Sequence, residues 1–166
     1  MSKNISKEVR VFKCEDTAAD GSVIPEAAVR EFISSPEHKF NEQNKLILGG
    51  LTHKDRSYSE EYKAIGEDDT SLLNFNTLFW LDGFYITKDK WLMARLNTFN
   101  PDRFIGKMKE HLTYLIGLIE EGVNLSGSVV IDATWKNNLC EQIFAIKGYD
   151  ITLNPSFNRS GIARGE

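Results

Sequence analysis

Gly122-Val123-Asn124-Leu125-Ser126-Gly127-Ser128-Val129-Val130-Ile131-Asp132-Ala133 is the stretch from which the rest of the chain can be read. It follows a long amphipathic segment, and in it small and hydroxyl residues give way to a β-branched run. That order predicts a helix stopping on Gly122, a turn, and a strand that carries Ser126 and Ser128 at its start. A serine at such a junction can be an exposed nucleophile or an ordinary strand residue, and its surroundings decide which.

Immediately upstream, Phe104, Ile105, Met108, Leu112, Leu115, Ile116 and Ile119 recur at three- and four-residue spacing, one apolar helix face capped by Asn100-Pro101-Asp102. Downstream, Lys136-Asn137-Asn138 reads as a hairpin turn. Leu139 to Leu153 reads as a last strand or pair of strands, ended by Asn154-Pro155-Ser156. Nearer the start, Val9 to Lys13 alternates as a short strand, with Val9 and Val11 on one face and Arg10 and Phe12 on the other. Pro25 suits a first helical turn, Ala28, Val29, Phe32 and Ile33 form its apolar face, and Ser34-Ser35-Pro36 stops it. Leu46-Ile47-Leu48 reads as a buried strand that Gly49-Gly50 lets bend, so that Leu51, Thr52 and His53 project from its end. Lys54 to Asn74 is polar and reads as a surface loop, either a wall beside a site or a solvated insertion. Leu78-Phe79-Trp80-Leu81, Phe84 to Thr87 and Trp91 to Leu96 then form an antiparallel meander with Gly83 as a turn.

With 166 residues, 41% hydrophobic and 27% charged, residues 1–166 are expected to form one α+β domain large enough to bury a core. A net charge of −4 without a basic stripe argues against nucleic acid as a partner. Cys14 and Cys140 belong to no CxxC or His-rich pattern, so neither a metal site, a disulfide framework nor a cofactor is expected. No apolar run approaches a membrane span, and Met1 to Lys7 lacks a signal-peptide core, which predicts a soluble protein of a reducing compartment. The glycines and charges from Ser160 to Glu166 predict a mobile tail.

Several of these segments carry a resemblance. Asp20-Gly21-Ser22-Val23-Ile24-Pro25, Gly49-Gly50-Leu51-Thr52-His53, Trp80, Ala94-Arg95-Leu96, Gly122 to Ser128, and Gly148 to Ser156 stand in the order seen in the prohead proteases of tailed bacteriophages. The chain resembles that family over roughly residues 8 to 160. Those enzymes are similar in turn to the herpesvirus capsid maturation proteases, which implies a mainly antiparallel β-barrel flanked by helices. On this resemblance His53 takes the place of the general base and Ser128 that of the nucleophile, with Ser126 its nearest competitor. Glu141, nine residues before Asp150, takes the place of the third member, while Asp150 and Asp132 remain open. The family continues with a second serine, an arginine and a glycine where this chain has Val129-Val130-Ile131, so the oxyanion-binding group is not identified by the resemblance.

These residue types suit serine chemistry, because a hydroxyl needs a neutral imidazole to accept its proton and an acid to orient that imidazole. The implied activity is a serine endopeptidase that cleaves capsid and scaffold proteins, and itself, inside assembling phage heads in the host cytoplasm. The resemblance also implies a homo-oligomer, and the lack of a long apolar run argues against membrane contact. The alternative is the same barrel without activity, as a structural or binding component of a phage head or tail. A small-molecule hydrolase is disfavoured because no Gly-x-Ser-x-Gly appears. A Cys140 nucleophile is disfavoured for want of a neighbouring basic cluster or helix start. His38, in a polar connection, and His111, on the long helix, read as structural or exposed.

Overall fold

The computed structural model describes residues 4–51, 77–152 and 161–162. Seven strands form one curled antiparallel half-barrel: β1 (Ser6–Lys13), β2 (Leu48–Gly49), β3 (Phe79–Ile86), β4 (Trp91–Thr98), β5 (Ser126–Lys136), β6 (Leu139–Thr152) and β7 (Gly161–Ile162). Their spatial order is β2-β3-β4-β1-β7-β5-β6. Three helices accompany the sheet among the described residues: α1 (Glu26–Ile33), α2 (Pro36–Gln43) and α3 (Gly106–Glu120). None of them is long and apolar enough to cross a membrane.

The strands depart from simple alternation wherever a bulge redirects a side chain. In β1 the pairing with β4 slips between Arg10 and Phe12, so Val11 and Phe12 are both buried, at 1% and 0% exposure. Strict alternation would have set Phe12 on the same face as Arg10. Gly83 is not the turn of the meander. It lies inside β3 at φ 65°, where the register with β4 slips between Asp82 and Tyr85. The chain reverses instead at Thr87 to Lys90, where Lys90 N–H donates to the Thr87 carbonyl and Lys90 adopts φ 69°. Across this hairpin Arg95 Nε donates to Asp82 Oδ1 at 2.9 Å.

Ser34 and Ser35 end α1 as expected, but a second helix follows at once. Ser35 Oγ accepts the His38 N–H at 3.2 Å and Pro36 occupies the first turn, the combination that starts a helix. What read as a polar connection is therefore α2. At its end Leu46 N–H donates to the Asn41 carbonyl, and the chain passes into β2, which is shorter than the apolar run suggested. The long helix begins at Gly106, after a 3₁₀ turn at Pro101–Arg103, so Ile105 precedes it and is 89% exposed. Leu112, Leu115, Ile116 and Ile119 carry its buried face. Gly122 at φ 80° ends it, and Val123 N–H returns to the Leu118 carbonyl.

β5 starts at Ser126 and turns at Asn137, φ 57°, into a single long strand, β6. Its pairing slips three times, and each slip leaves the extra residue on β6: Lys147, Phe144 and Glu141. The curl brings the two edges of the sheet together at one point, where Leu51 bridges Ile151 in parallel and Ile151 N–H donates to the Gly50 carbonyl at 2.8 Å. The tail expected to be mobile contributes β7, which pairs with β1 at Val9 and Arg10 and with β5 at Ser126.

His38 holds α2 against the sheet. It is 1% exposed, its ring lies 4.5 Å from that of Phe32 and 4.7 Å from that of Phe84, and neither ring nitrogen has a hydrogen-bond partner. Burial pushes its pKa below the ordinary 6.5, against the opposing charge of Glu42. The unfolded chain therefore takes up the proton first. His38 supports the fold fully above its unfolded pKa, and that support is lost as pH falls below it. Denaturant titrations should show stability declining as the medium is acidified through pH 6.5, with a shallower decline in His38→Phe. Equal slopes in the two proteins would show that His38 does not carry the effect.

Candidate active site

Tyr149 is the packing element on which the site is built. Its side chain is wholly buried, and its hydroxyl donates to the Arg10 carbonyl at 2.9 Å. Burial raises the phenol's pKa strongly, so the group is a fixed donor. Gly127 makes room for that side chain, and Gly49 for the backbone of the same residue. A Cβ on Gly127 would stand 1.9 Å from the Tyr149 hydroxyl, and one on Gly49 would stand 1.7 Å from the Tyr149 carbonyl oxygen and 2.6 Å from the Phe79 ring. With no side chains between them, β2 and β5 close onto β6 from two directions.

The next residue on β6, Asp150, points to the opposite face because side chains alternate along a strand. There it lies opposite Ser128 in the β5–β6 register. Directly opposed residues share a face with Cβ atoms about 4.5–5.5 Å apart. Asp150 is 0% and Ser128 3% exposed. A buried carboxylate needs hydrogen-bond donors, and Gly50 N–H donates to Asp150 Oδ1 at 3.1 Å. Three parts of the chain far apart in sequence thus meet: the start of β5, the end of β6, and the Gly49-Gly50-Leu51 segment.

Among the residues expected from the sequence, Ser128 and Ser126 sit in this cluster, with Ser126 partly exposed and paired to both Thr152 and Gly161. His53, two residues beyond Leu51, lies outside the described residues, as does the polar stretch that follows it. The structure does not bring Glu141 to Ser128. It is the exposed, bulged residue near the hairpin end of β6, nine positions before Asp150, which is on the order of 25–30 Å of strand. Asp132 is exposed on β5, opposite Ala145 and beyond the first bulge. Of the three acids, only Asp150 shares the site with Ser128. Its place between buried Tyr149 and Ile151 is the sequence signal, since a carboxylate there must find donors within the fold.

Neither cysteine fits a nucleophile. Cys14 and Cys140 are buried free thiols, and burial pushes Cys14 up to about 11 and raises Cys140 as well, which keeps both protonated. Among the described residues, no group of three or more His, Cys, Asp and Glu side chains could hold a metal.

If Tyr149 and its two glycines set this geometry, alanine at either position must be strongly destabilising. Gly127→Ala should cost at least ~2 kcal/mol by urea denaturation. Gly49→Ala should cost more, because its obstacle is a backbone oxygen that cannot swing away. Variants within about 0.5 kcal/mol of the parent would contradict the close approach. No family model, curated protein or solved structure matches the chain, so the site is read from its own geometry.

Proposed function

We propose that the chain is a serine endopeptidase in which Ser128 is the nucleophile, His53 the general base and Asp150 the group that orients the imidazole. The observation that carries this reading is the pairing of Ser128 with Asp150, whose carboxylate also holds Gly50 N–H. His53 follows Gly50 by three residues, and three residues of extended chain span at most ~10 Å. A tether of that length permits an approach of the histidine to both groups.

The chemistry follows from those roles. Ser128 Oγ attacks the peptide carbonyl carbon while His53 takes its proton, an assistance contributing roughly 10²- to 10⁴-fold. The imidazolium then gives that proton to the amine as the C–N bond breaks, and water repeats the sequence to release the acyl group from Ser128. Asp150 stabilises the imidazolium without itself being protonated. The resemblance to the prohead proteases supports capsid and scaffold proteins as substrates, together with self-cleavage within assembling phage heads in the host cytoplasm. It supports equally the finer fold, a herpesvirus-protease-like barrel. Glu141, which the resemblance put in third place, gives way to Asp150 on geometry.

A second reading has its own support. Ser128 and Asp150 are both nearly inaccessible, as expected of a buried polar pair that merely joins two strands. On that reading the domain is an inactive structural or binding component of a phage head or tail.

A fluorophosphonate probe followed by peptide mass spectrometry separates the two. The enzyme reading predicts covalent labelling of Ser128, absent in Ser128→Ala and retained in Ser126→Ala. Cleavage should fall about 10⁴-fold in Asp150→Asn, which keeps an acceptor for Gly50, and remain unchanged in Glu141→Gln. No labelling and a constant chain mass over days would favour the structural component.

A further inference from the structure

α2 is held by one side chain, and that side chain titrates. Of the eight residues of the helix only His38 is buried, while Phe40, its other large ring, is 60% exposed. The imidazole fits between Phe32 of α1 and Phe84 of β3 as an uncharged ring, with neither nitrogen hydrogen-bonded. Protonated, it would carry two N–H donors and a charge into a place that offers no acceptor. α1 and β3 face it with phenylalanine rings, and the one charge acting on it among the described residues is Glu42, a turn further along α2. That carboxylate is already engaged, since Glu42 Oε2 accepts the Phe84 N–H at 3.0 Å.

The segment also has firm ends. Before it, Phe32 is 3% exposed in the core, and its carbonyl accepts Ser35 Oγ at 2.7 Å. After it, Ile47 is 1% exposed, and its carbonyl accepts the Leu81 N–H at 2.8 Å. Between α2 and that second anchor, Lys45 takes φ 56°, so the helix has already stopped. Residues 36–46 are thus bounded by two buried anchors and docked between them by His38.

We propose that protonation of His38 releases α2 from the sheet as a unit, an acid-operated local opening in which the strands stay in place. In the released state the imidazolium reaches water, the Phe84 N–H parts from Glu42, and the ring faces of Phe32 and Phe84 that His38 covered become accessible. One proton is taken up on release. The open population therefore rises by up to about tenfold for each unit of pH below 6.5, and it levels off once the closed form is itself protonated. The change in whole-fold stability draws on the same proton, but the opening confines the structural response to one helix. It stands apart from the hydrolase reading, and its test involves no activity.

Amide hydrogen exchange of the full chain from about pH 8 to about pH 5, corrected for the intrinsic pH dependence of exchange, reads the opening directly. Amides of α2 should lose protection by up to about tenfold per unit of pH below 6.5, while those of β3 and β4 keep theirs. In His38→Phe, which keeps a ring and removes the charge, α2 should stay protected throughout. Circular dichroism establishes that this variant is folded. A second measurement needs the parent alone: in an NMR titration the His38 imidazole and the α2 amides should shift with one midpoint below 6.5, and the β4 amides should not follow it. Unchanged α2 protection across the range would overturn the proposal. So would α2 and β4 losing protection together, α2 amides that do not follow the His38 ring, or a folded His38→Phe that opens as the parent does.

Discussion

The fold depends on one buried phenol being allowed close to three strands. Tyr149 fixes β6 to β1 through its hydrogen bond to the Arg10 carbonyl, for which glycine at 127 leaves room, and glycine at 49 lets β2 approach its backbone carbonyl. Fully burying an aromatic side chain contributes about 1.5–3 kcal/mol, but the larger consequence is geometric. With Tyr149 turned into the core, the alternation of β6 sends Asp150 the other way, toward Ser128 and the Gly50 N–H. A core-packing constraint and a polar cluster are thus adjacent residues of one strand.

That adjacency explains why Asp150, and not Glu141, belongs with Ser128. Both are acids on β6, and spacing along the sequence does not separate them. Burial does, because a carboxylate with no exposure must be held by donors, whereas Glu141 is the exposed extra residue of a bulge near the hairpin end. The same fixed environment would suit a group whose task is to orient an imidazole and balance its charge. Enclosure also limits access, which is why the inactive-barrel reading draws on the same two residues.

Much of this architecture is legible in the sequence where local rules dominate. The stop at Gly122, the strand beginning at Ser126, the break after Ile33 and the hairpin turn at Asn137 each follow from a glycine, a cap, a proline or a turn residue acting on its neighbours. What local rules could not give are the places where one extra residue redirects a strand. The slip at Val11 returns Phe12 to the core, Gly83 absorbs a bulge instead of making a turn, and three extra residues on β6 move Glu141 from any simple register. Two further features depend on tertiary partners. α2 is polar on most sides and stands on the burial of His38 between Phe32 and Phe84, and β7 exists only because β1 and β5 leave a strand position between them. At the site, the helix stop and the β-branched run put Ser126 and Ser128 alike at a strand start, and the resemblance alone singles out Ser128. Asp150 is set apart from Glu141 by its burial and by its contact with Gly50, a hundred residues away. His53 falls outside the described residues.

The proposed catalytic unit joins His53 to Ser128 and Asp150, which packing around Tyr149 sets opposite each other. The separation of the His53 imidazole from the Ser128 hydroxyl and the Asp150 carboxylate, measured in crystals of the protein, tests it most directly. The proposed triad requires His53 to lie between the two, each nitrogen within about 3–4 Å of its oxygen partner. An imidazole more than a side chain's length from both, on the opposite side of the sheet, would contradict it.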